Sequence, residues 1–172
     1  MDLINEELKS EKVLEEIKRQ RRVNEVVDVE EERVKIVVFS VAGRRYAFYG
    51  ANIKEILPAG EISWVPSLPD YLPGLINVRG DIESVVDICY FLGERTAAPD
   101  GGFILLTVCG DFQSGIRVDT IEDVVDVPVS AVEPPLSTLG GMAGDLVAGE
   151  IRLGRETATL LDIEKLSAGI IL

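Results

Sequence analysis

Residues 74–88 read GLINVRGDIESVVDI, and residues 149–163 read GEIRLGRETATLLDI. The two stretches align without a gap, which pairs Asp87 with Asp162 and places an apolar run immediately before each aspartate. Self-similarity of this kind is the sequence signature of a repeated structural unit. The chain is therefore predicted to contain two related halves.

The repeat extends upstream of these stretches. IKEIL at 53–57 aligns with IEDVV at 121–125, and a short apolar stretch ending in proline follows each of them. The offset between the copies is larger in the downstream blocks, so the second copy carries a longer loop. Both segments are interpreted as short helical turns between strands.

From Val34 onward, short runs rich in Val and Ile alternate with turn residues, as in small barrels and sandwiches. The pattern predicts an all-β fold with short helices, in which two small β-barrels lie side by side and expose little strand edge. The first barrel is expected at about 34–97 and the second at about 98–172, with a surface loop near 96–102 between them.

Residues 1–33 form a charge-rich extension without Gly or Pro, and a helix is plausible over 3–22. The apolar positions do not sustain a heptad repeat, so a continuous coiled coil is not predicted. Two interpretations remain open for this extension: a solvated, partly disordered segment, or a helix that binds a partner or a second copy.

Composition limits the possible functions. The net charge of −13 opposes binding to nucleic acid, because phosphate contacts need a cationic patch. No apolar run approaches the roughly 20 residues that span a bilayer, so the protein is expected in the cytoplasm without direct membrane insertion. Histidine is absent, which removes Ser-His-Asp and Cys-His catalysis and the commonest transition-metal ligand.

The remaining carboxylates and thiols favour structural roles. Asp87 and Asp162 follow apolar strands and are predicted to cap backbone N–H groups, although a paired-carboxylate enzyme is the alternative. The acidic run at 119–126 lacks the spacing of a calcium loop and is interpreted as a solvated face on a short helix. Cys89 and Cys109 are interpreted as reduced, buried residues, with a disulfide or a reactive thiol as the lesser alternative. No catalytic residue, metal or cofactor is predicted.

Two large side chains remain ambiguous from sequence. Arg79 precedes a turn glycine, where it can either clamp the loop or contact a partner. Trp64, the only tryptophan, lies in an alternating apolar stretch, which favours packing in a core or between barrels over an exposed position.

The stretch GLINVRGDIESVVDICYFLG at 74–93 resembles the signature of the CheW family of chemotaxis coupling proteins. The resemblance extends over about 34–168, through VVFSVAGRRYAF, ANIKEIL, SGIRVDTIEDVVDV and LLDIEKL in the family's order. It implies two SH3-like five-stranded β-barrels side by side and a non-catalytic adaptor. Arg117, within an otherwise apolar strand, departs from the family pattern.

The resemblance also implies partners and contact residues. An adaptor of this family couples the cytoplasmic tip of methyl-accepting chemotaxis receptors to the regulatory domain of the histidine kinase CheA. The kinase-binding residues would be Glu55 and Leu57. The receptor-binding groove would comprise Ile53, Gly74, Arg79, Gly115, Val124 and Gly149. The alternative is a divergent module of the same fold that binds another partner in a pilus or other signalling pathway.

Overall fold

The protein is described here by a computed structural model that covers residues 11–20, 31–98, 101–136 and 141–170. The chain divides into two compact units, Met1–Arg33 and Val34–Leu172. In the first unit, residues 11–20 form a helix, α1. The other residues of the predicted helix over 3–22 lie outside the described part of the chain. No helix in the described segments is long and apolar enough to cross a membrane.

The second unit is built mainly of strands. Its strands are β1 (Arg33–Val41), β2 (Arg44–Tyr49), β3 (Ile53–Pro58), β4 (Gly74–Val78), β5 (Asp81–Asp87), β6 (Phe103–Cys109), β7 (Phe112–Val118), β8 (Thr120–Pro128), β9 (Val132–Glu133), β10 (Val147–Leu153) and β11 (Glu156–Leu161). Its α-helices are α2 (Ile88–Leu92), α3 (Gly141–Asp145) and α4 (Ile163–Ala168), and single 3₁₀ turns occur at Gly50–Asn52 and Val129–Ala131. The prediction of a mainly β fold with short helices is confirmed.

The strands form two sheets of matching order. Sheet 1 runs β3-β6-β7-β5-β4, and sheet 2 runs β8-β1-β2-β11-β10-β9. In each sheet an antiparallel hairpin, β6-β7 or β1-β2, sits between an edge strand and the second hairpin of the sheet. The contacts of β7 with β5 and of β2 with β11 are parallel. The repeat seen in the sequence is therefore also a repeat of strand topology, with the short β9 added to sheet 2.

The strand pairing departs from the predicted boundaries of the two barrels. The hairpin β1-β2 belongs to the first half of the sequence but pairs with strands of the second half, and β6-β7 does the reverse. The division at about residue 97 is therefore not the division between the sheets. The hairpin from each half of the sequence therefore lies in the sheet formed by the remaining strands of the other half.

The burial of β1 gives the physical reason for this exchange. Val37, Phe39 and Val41 face a core shared by both sheets, whereas Ile36 and Val38 face a smaller core within sheet 2. The strand is apolar on both faces because both faces are buried. A hairpin of this kind is most stable between two layers, where neither apolar face meets water.

The segments predicted as short helical turns are strands instead. Ile53–Pro58 pairs with β6, and the IEDVV segment lies within β8 beside β1. The nearest helical turns, Gly50–Asn52 and Val129–Ala131, lie just outside these segments, before β3 and after β8. Pairing with the exchanged hairpin decides the conformation of these short segments, since local propensity alone is a weak determinant.

The predicted aspartate caps are confirmed. The Asp87 side chain accepts a hydrogen bond from the Cys89 backbone N–H at 3.0 Å at the start of α2. Asp162 accepts from the backbone N–H groups of Glu164 at 2.9 Å and Lys165 at 3.2 Å at the start of α4. The repeat thus conserves an N-cap, which satisfies otherwise unpaired backbone donors in both halves.

Candidate interaction site

An ion pair joins the β4–β5 turn to the edge strand β3. Arg79 has a φ of 54° in this turn, and Asn77 stabilises the turn by accepting a hydrogen bond from the Gly80 N–H at 2.8 Å. The Arg79 guanidinium spans the gap between the two edges of sheet 1 and pairs with Glu55 of β3, with Nη2 lying 2.5 Å from Oε1. The structure therefore brings a predicted receptor-binding residue and a predicted kinase-binding residue into direct contact.

A cleft lies beside this pair, between β3 and β4, the two edge strands of sheet 1. Its volume is about 270 Å³, and its floor includes Leu57 of β3, Ile76 of β4 and Ile104 of β6. The other lining residues are Pro58, Gly60, Glu61, Asn77, Val78 and Arg79. This β3–β4 cleft combines an apolar floor with a charged rim, which suits an apolar side chain presented by a polar surface.

The predicted glycines lie inside the fold. A Cβ atom on Gly74 would stand 2.2 Å from the Ser63 carbonyl oxygen, and one on Gly149 would stand 2.5 Å from the Glu133 carbonyl oxygen. A Cβ atom on Gly115 would stand 2.6 Å from a methyl carbon of Ile104. All three glycines are buried, and they allow close packing within the protein itself.

The two apolar candidates differ in exposure. Ile53 begins β3 and is half-buried against the shared core, so it contributes to folding as well as to any surface. Val124, on the edge strand β8 of sheet 2, leaves 46% of its area exposed. The predicted residues therefore divide between two sheets, and Glu55, Leu57 and Arg79 are the ones gathered around the β3–β4 cleft.

Sequence reasoning was wrong about Trp64, which is 74% exposed rather than packed in a core. The residue follows Ser63, whose only strand contact is an isolated bridge to Leu75 of β4. Pro66, Pro69 and Pro73 follow closely, and prolines are poorly tolerated inside a hydrogen-bonded sheet. This proline spacing was the signal that could have identified an exposed connection.

The residues of the acidic run at 119–126 differ in burial and lie on or beside a strand. The interpretation of the run as a solvated face of a short helix is therefore wrong. Asp119 is 5% exposed, and its carboxylate accepts hydrogen bonds from the Ala42 N–H at 2.8 Å, the Ala97 N–H at 2.9 Å and the Thr96 hydroxyl at 2.5 Å. Burial acts to raise the pKa of Asp119, but these hydrogen bonds outweigh it and lower the pKa below the usual value.

The other acidic residues of the run lie on the surface strand β8. Glu122 and Glu156 both pair with Arg45 of β2, and hydrogen bonds to these two carboxylates raise the pKa of the arginine. Within the part of the chain described by the structure, no group of three or more potential ligands could hold a metal ion.

Arg117, the departure from the apolar pattern of β7, binds the connection between the two halves. Its guanidinium donates to the carbonyl oxygens of Ala98 at 2.7 Å and Gly101 at 3.2 Å. Together with Asp119, it fixes both ends of a predicted surface loop. This strand therefore carries an arginine among apolar residues because the Arg117 side chain anchors the neighbouring loop.

The buried Cys89 is not an activated nucleophile. Burial, followed by the nearby Asp87 carboxylate, raises the pKa of Cys89 to about 12, which keeps the thiol protonated at neutral pH. Both cysteines are free, but only Cys89 is buried, whereas Cys109 is half-buried.

Comparisons with known proteins agree with this architecture. Residues 35–170 match the family model of the CheW-like domain. The chain is 28% identical over 144 residues to the chemotaxis protein CheW of Treponema pallidum, covering 80% of this chain and 84% of that protein. It is 29% identical over 133 residues to protein FrzA of Myxococcus xanthus, covering 74% and 81% of the two chains.

A solved structure shares the fold. The scaffolding protein TtCheW from Thermoanaerobacter tengcongensis superimposes with a TM-score of 0.68 at 25% sequence identity. The match covers 76% of this chain and 90% of that one.

Proposed function

Because this chain belongs to the CheW-like domain family, we propose that it is a chemotaxis adaptor that couples methyl-accepting receptors to the histidine kinase CheA. The observation that carries the proposal is the match of residues 35–170, nearly the whole second unit, to this domain. Relatives named as chemotaxis or scaffolding proteins favour this role over a pilus or other pathway. Scaffolding requires complementary surfaces rather than reactive groups.

The kinase regulatory domain is proposed to contact sheet 1 at the β3–β4 cleft. Leu57 contributes to the apolar floor, and Glu55 lies at the margin with 23% of its side chain exposed. An apolar pocket surrounded by polar groups is the usual form of an anchoring site in a protein interface.

The receptor tip is proposed to lie against a groove that includes Arg79, Ile53 and Val124. Gly74, Gly115 and Gly149, the other residues proposed for this groove, are buried, so their contribution would be to let neighbouring strands pack closely. Arg79 leaves 77% of its side chain exposed, which suits contact with a partner while it remains paired with Glu55. The shared ion pair makes the two contacts interdependent.

Binding of purified fragments tests this proposal. Calorimetry with the kinase regulatory domain and with a receptor tip fragment should detect both complexes at tens of micromolar, roughly the strength of a transient interface. Arg79→Ala should weaken at least one complex by about tenfold, as expected for an interface anchor. If neither fragment binds the wild-type chain at these concentrations, the proposed pair of partners is wrong.

Matched variants separate binding from folding. Arg152→Ala removes another exposed ion pair, to Glu133 at 3.2 Å in sheet 2, and should leave both complexes unchanged. Val124→Asp is a better probe of the groove than Ile53→Asp, because Val124 is exposed and Ile53 packs against the shared core. Thermal unfolding of each variant identifies any loss of binding that comes from a damaged fold.

We further propose that the protein acts in the cytoplasm and is recruited to receptor arrays at the membrane through these contacts. A fluorescent fusion should form membrane-associated clusters in cells that contain the receptors. The same fusion should remain diffuse when the receptors are deleted, and clusters that persist would argue against recruitment by receptors.

A further inference from the structure

Helix α1 presents an apolar ridge to solvent. Val13, Leu14 and Ile17 leave 58%, 55% and 49% of their areas exposed. At 3.6 residues per turn, these three side chains fall within about 100° of the helix circumference. A continuous apolar stripe on an otherwise charged helix is typical of a face that packs against another element.

The charged residues of α1 are placed asymmetrically around this ridge. Glu11 and Lys18 are two turns apart and lie on the same side of the ridge, roughly 60° and 40° beyond Leu14. Lys12 and Glu15 project from the opposite face of the helix. The flank of the ridge therefore carries a negative charge at its N-terminal end and a positive charge at its C-terminal end.

This polarity is self-complementary in one orientation only. When two identical helices pair antiparallel about a two-fold axis, each flank lies against the same flank of the other helix. Glu11 of each helix then lies beside Lys18 of the other, which gives two contacts. In a parallel pair this flank faces the other side of the ridge, where the uncharged Gln20 lies beyond Val13, and the complementarity is lost. We propose that α1 pairs antiparallel with α1 of a second copy of this chain, through the Leu14–Ile17 ridge and two Glu11–Lys18 contacts.

Such pairing is independent of the proposed function, because it uses only the first compact unit. The described helix is 10 residues long, about 15 Å, so the isolated contact is weak. It becomes effective where many copies are held close together, since a high local concentration strengthens a weak contact. The extension would then connect adaptor molecules to one another.

Sedimentation equilibrium of the full chain at about 0.3 mM tests the pairing, at a concentration suited to a weak complex. The wild-type chain should show a monomer–dimer equilibrium, and Leu14→Asp with Ile17→Asp should abolish it. Both substitutions are at exposed positions, so the thermal unfolding of the chain should not change. A wild-type chain that remains monomeric, or an apolar-ridge variant that still dimerises, overturns the proposal.

Charge exchange tests the orientation. Glu11→Lys and Lys18→Glu should each weaken dimerisation by about tenfold, because each converts two attractive contacts into repulsive ones. The double variant E11K/K18E should recover the wild-type affinity. Lys12→Glu and Glu15→Lys make the same charge changes on the opposite face and should have no effect. Failure of the double variant to recover overturns the antiparallel arrangement.

Discussion

Two matched glycines, Gly74 and Gly149, lie where a neighbouring segment's carbonyl oxygen comes closest to the backbone. The carbonyls belong to Ser63 and Glu133. Ser63 pairs with Leu75 of β4 and Glu133 pairs with Glu150 of β10, in each case one residue after the glycine. The repeat therefore preserves glycine at these positions for a steric reason, independent of any partner.

Gly149→Ala tests this steric role. A Cβ atom 2.5 Å from the Glu133 carbonyl oxygen forces the backbone of β9 or β10 to shift, which should cost about 1–3 kcal/mol of unfolding free energy. Urea denaturation measures the loss. Gly60→Ala is the control, because a Cβ atom there meets nothing within 4 Å and should be tolerated. Equal stability of the two variants would contradict the steric explanation.

At the scale of secondary-structure elements, the Asp119 carboxylate joins three segments that are distant in sequence. It lies between β7 and β8 and binds the β1–β2 turn through Ala42, and the segment after α2 through Thr96 and Ala97. The chain passes from sheet 1 to sheet 2 at this residue. Only an ionised carboxylate can accept all three hydrogen bonds, since an amide nitrogen is a donor.

Asp119→Asn should destabilise the protein at pH 7 by about 1–3 kcal/mol, because the Ala42 and Ala97 N–H groups lose a charged acceptor and the Thr96 hydroxyl loses the oxygen to which it donates. The pKa of Asp119 is lowered in the folded state, so the carboxylate stabilises the fold above its ordinary pKa and loses this contribution as the pH falls through the lowered value. The difference between wild type and variant should therefore be full at pH 7 and shrink below about pH 4.

Thermal or urea unfolding across this pH range measures the difference. Asp123→Asn is the matched control, because Asp123 is exposed on β8 and accepts a hydrogen bond from the adjacent Val124 N–H at 2.8 Å. Its stability should follow the wild-type curve. A difference between Asp119→Asn and wild type that stays constant down to pH 3 would rule out the linkage to ionisation.

At the scale of the whole molecule, the exchanged hairpins make the two sheets depend on each other. Sheet 1 lacks its central β6-β7 pair without the second half of the sequence, and sheet 2 lacks β1-β2 without the first half. The core shared by both sheets contains residues from each hairpin, including Phe39 and Leu105. Neither half should therefore bury a complete core alone.

A chain divided in the connecting loop tests this dependence. A fragment ending at Ala98 and a fragment beginning at Gly101 should each lack cooperative unfolding, because each leaves apolar strand faces in water. Mixed together, they should regain β-type circular dichroism and a single unfolding transition. A cooperative transition in either fragment alone would support self-contained barrels instead of exchanged ones.

The sequence determined features that depend on short-range pattern and chemistry. The alternation of apolar strands and turns predicted the β fold, the gapless alignment predicted two related halves, and Asp87 and Asp162 were identified as caps from their places after strands. A cap is a local interaction, because the side chain and the backbone N–H groups that it binds lie within three residues of each other. The motif at 74–93 also led to the correct family.

Only the tertiary structure decided which strands meet and which polar groups they bring together. The hairpins β1-β2 and β6-β7 have similar apolar patterns, so the sequence could not show which sheet receives which hairpin. The contact between Arg79 and Glu55 and the burial of Asp119 both follow from that assignment. Local periodicity specifies that a strand face will be buried, but the long-range packing that minimises exposed apolar area decides against which partner.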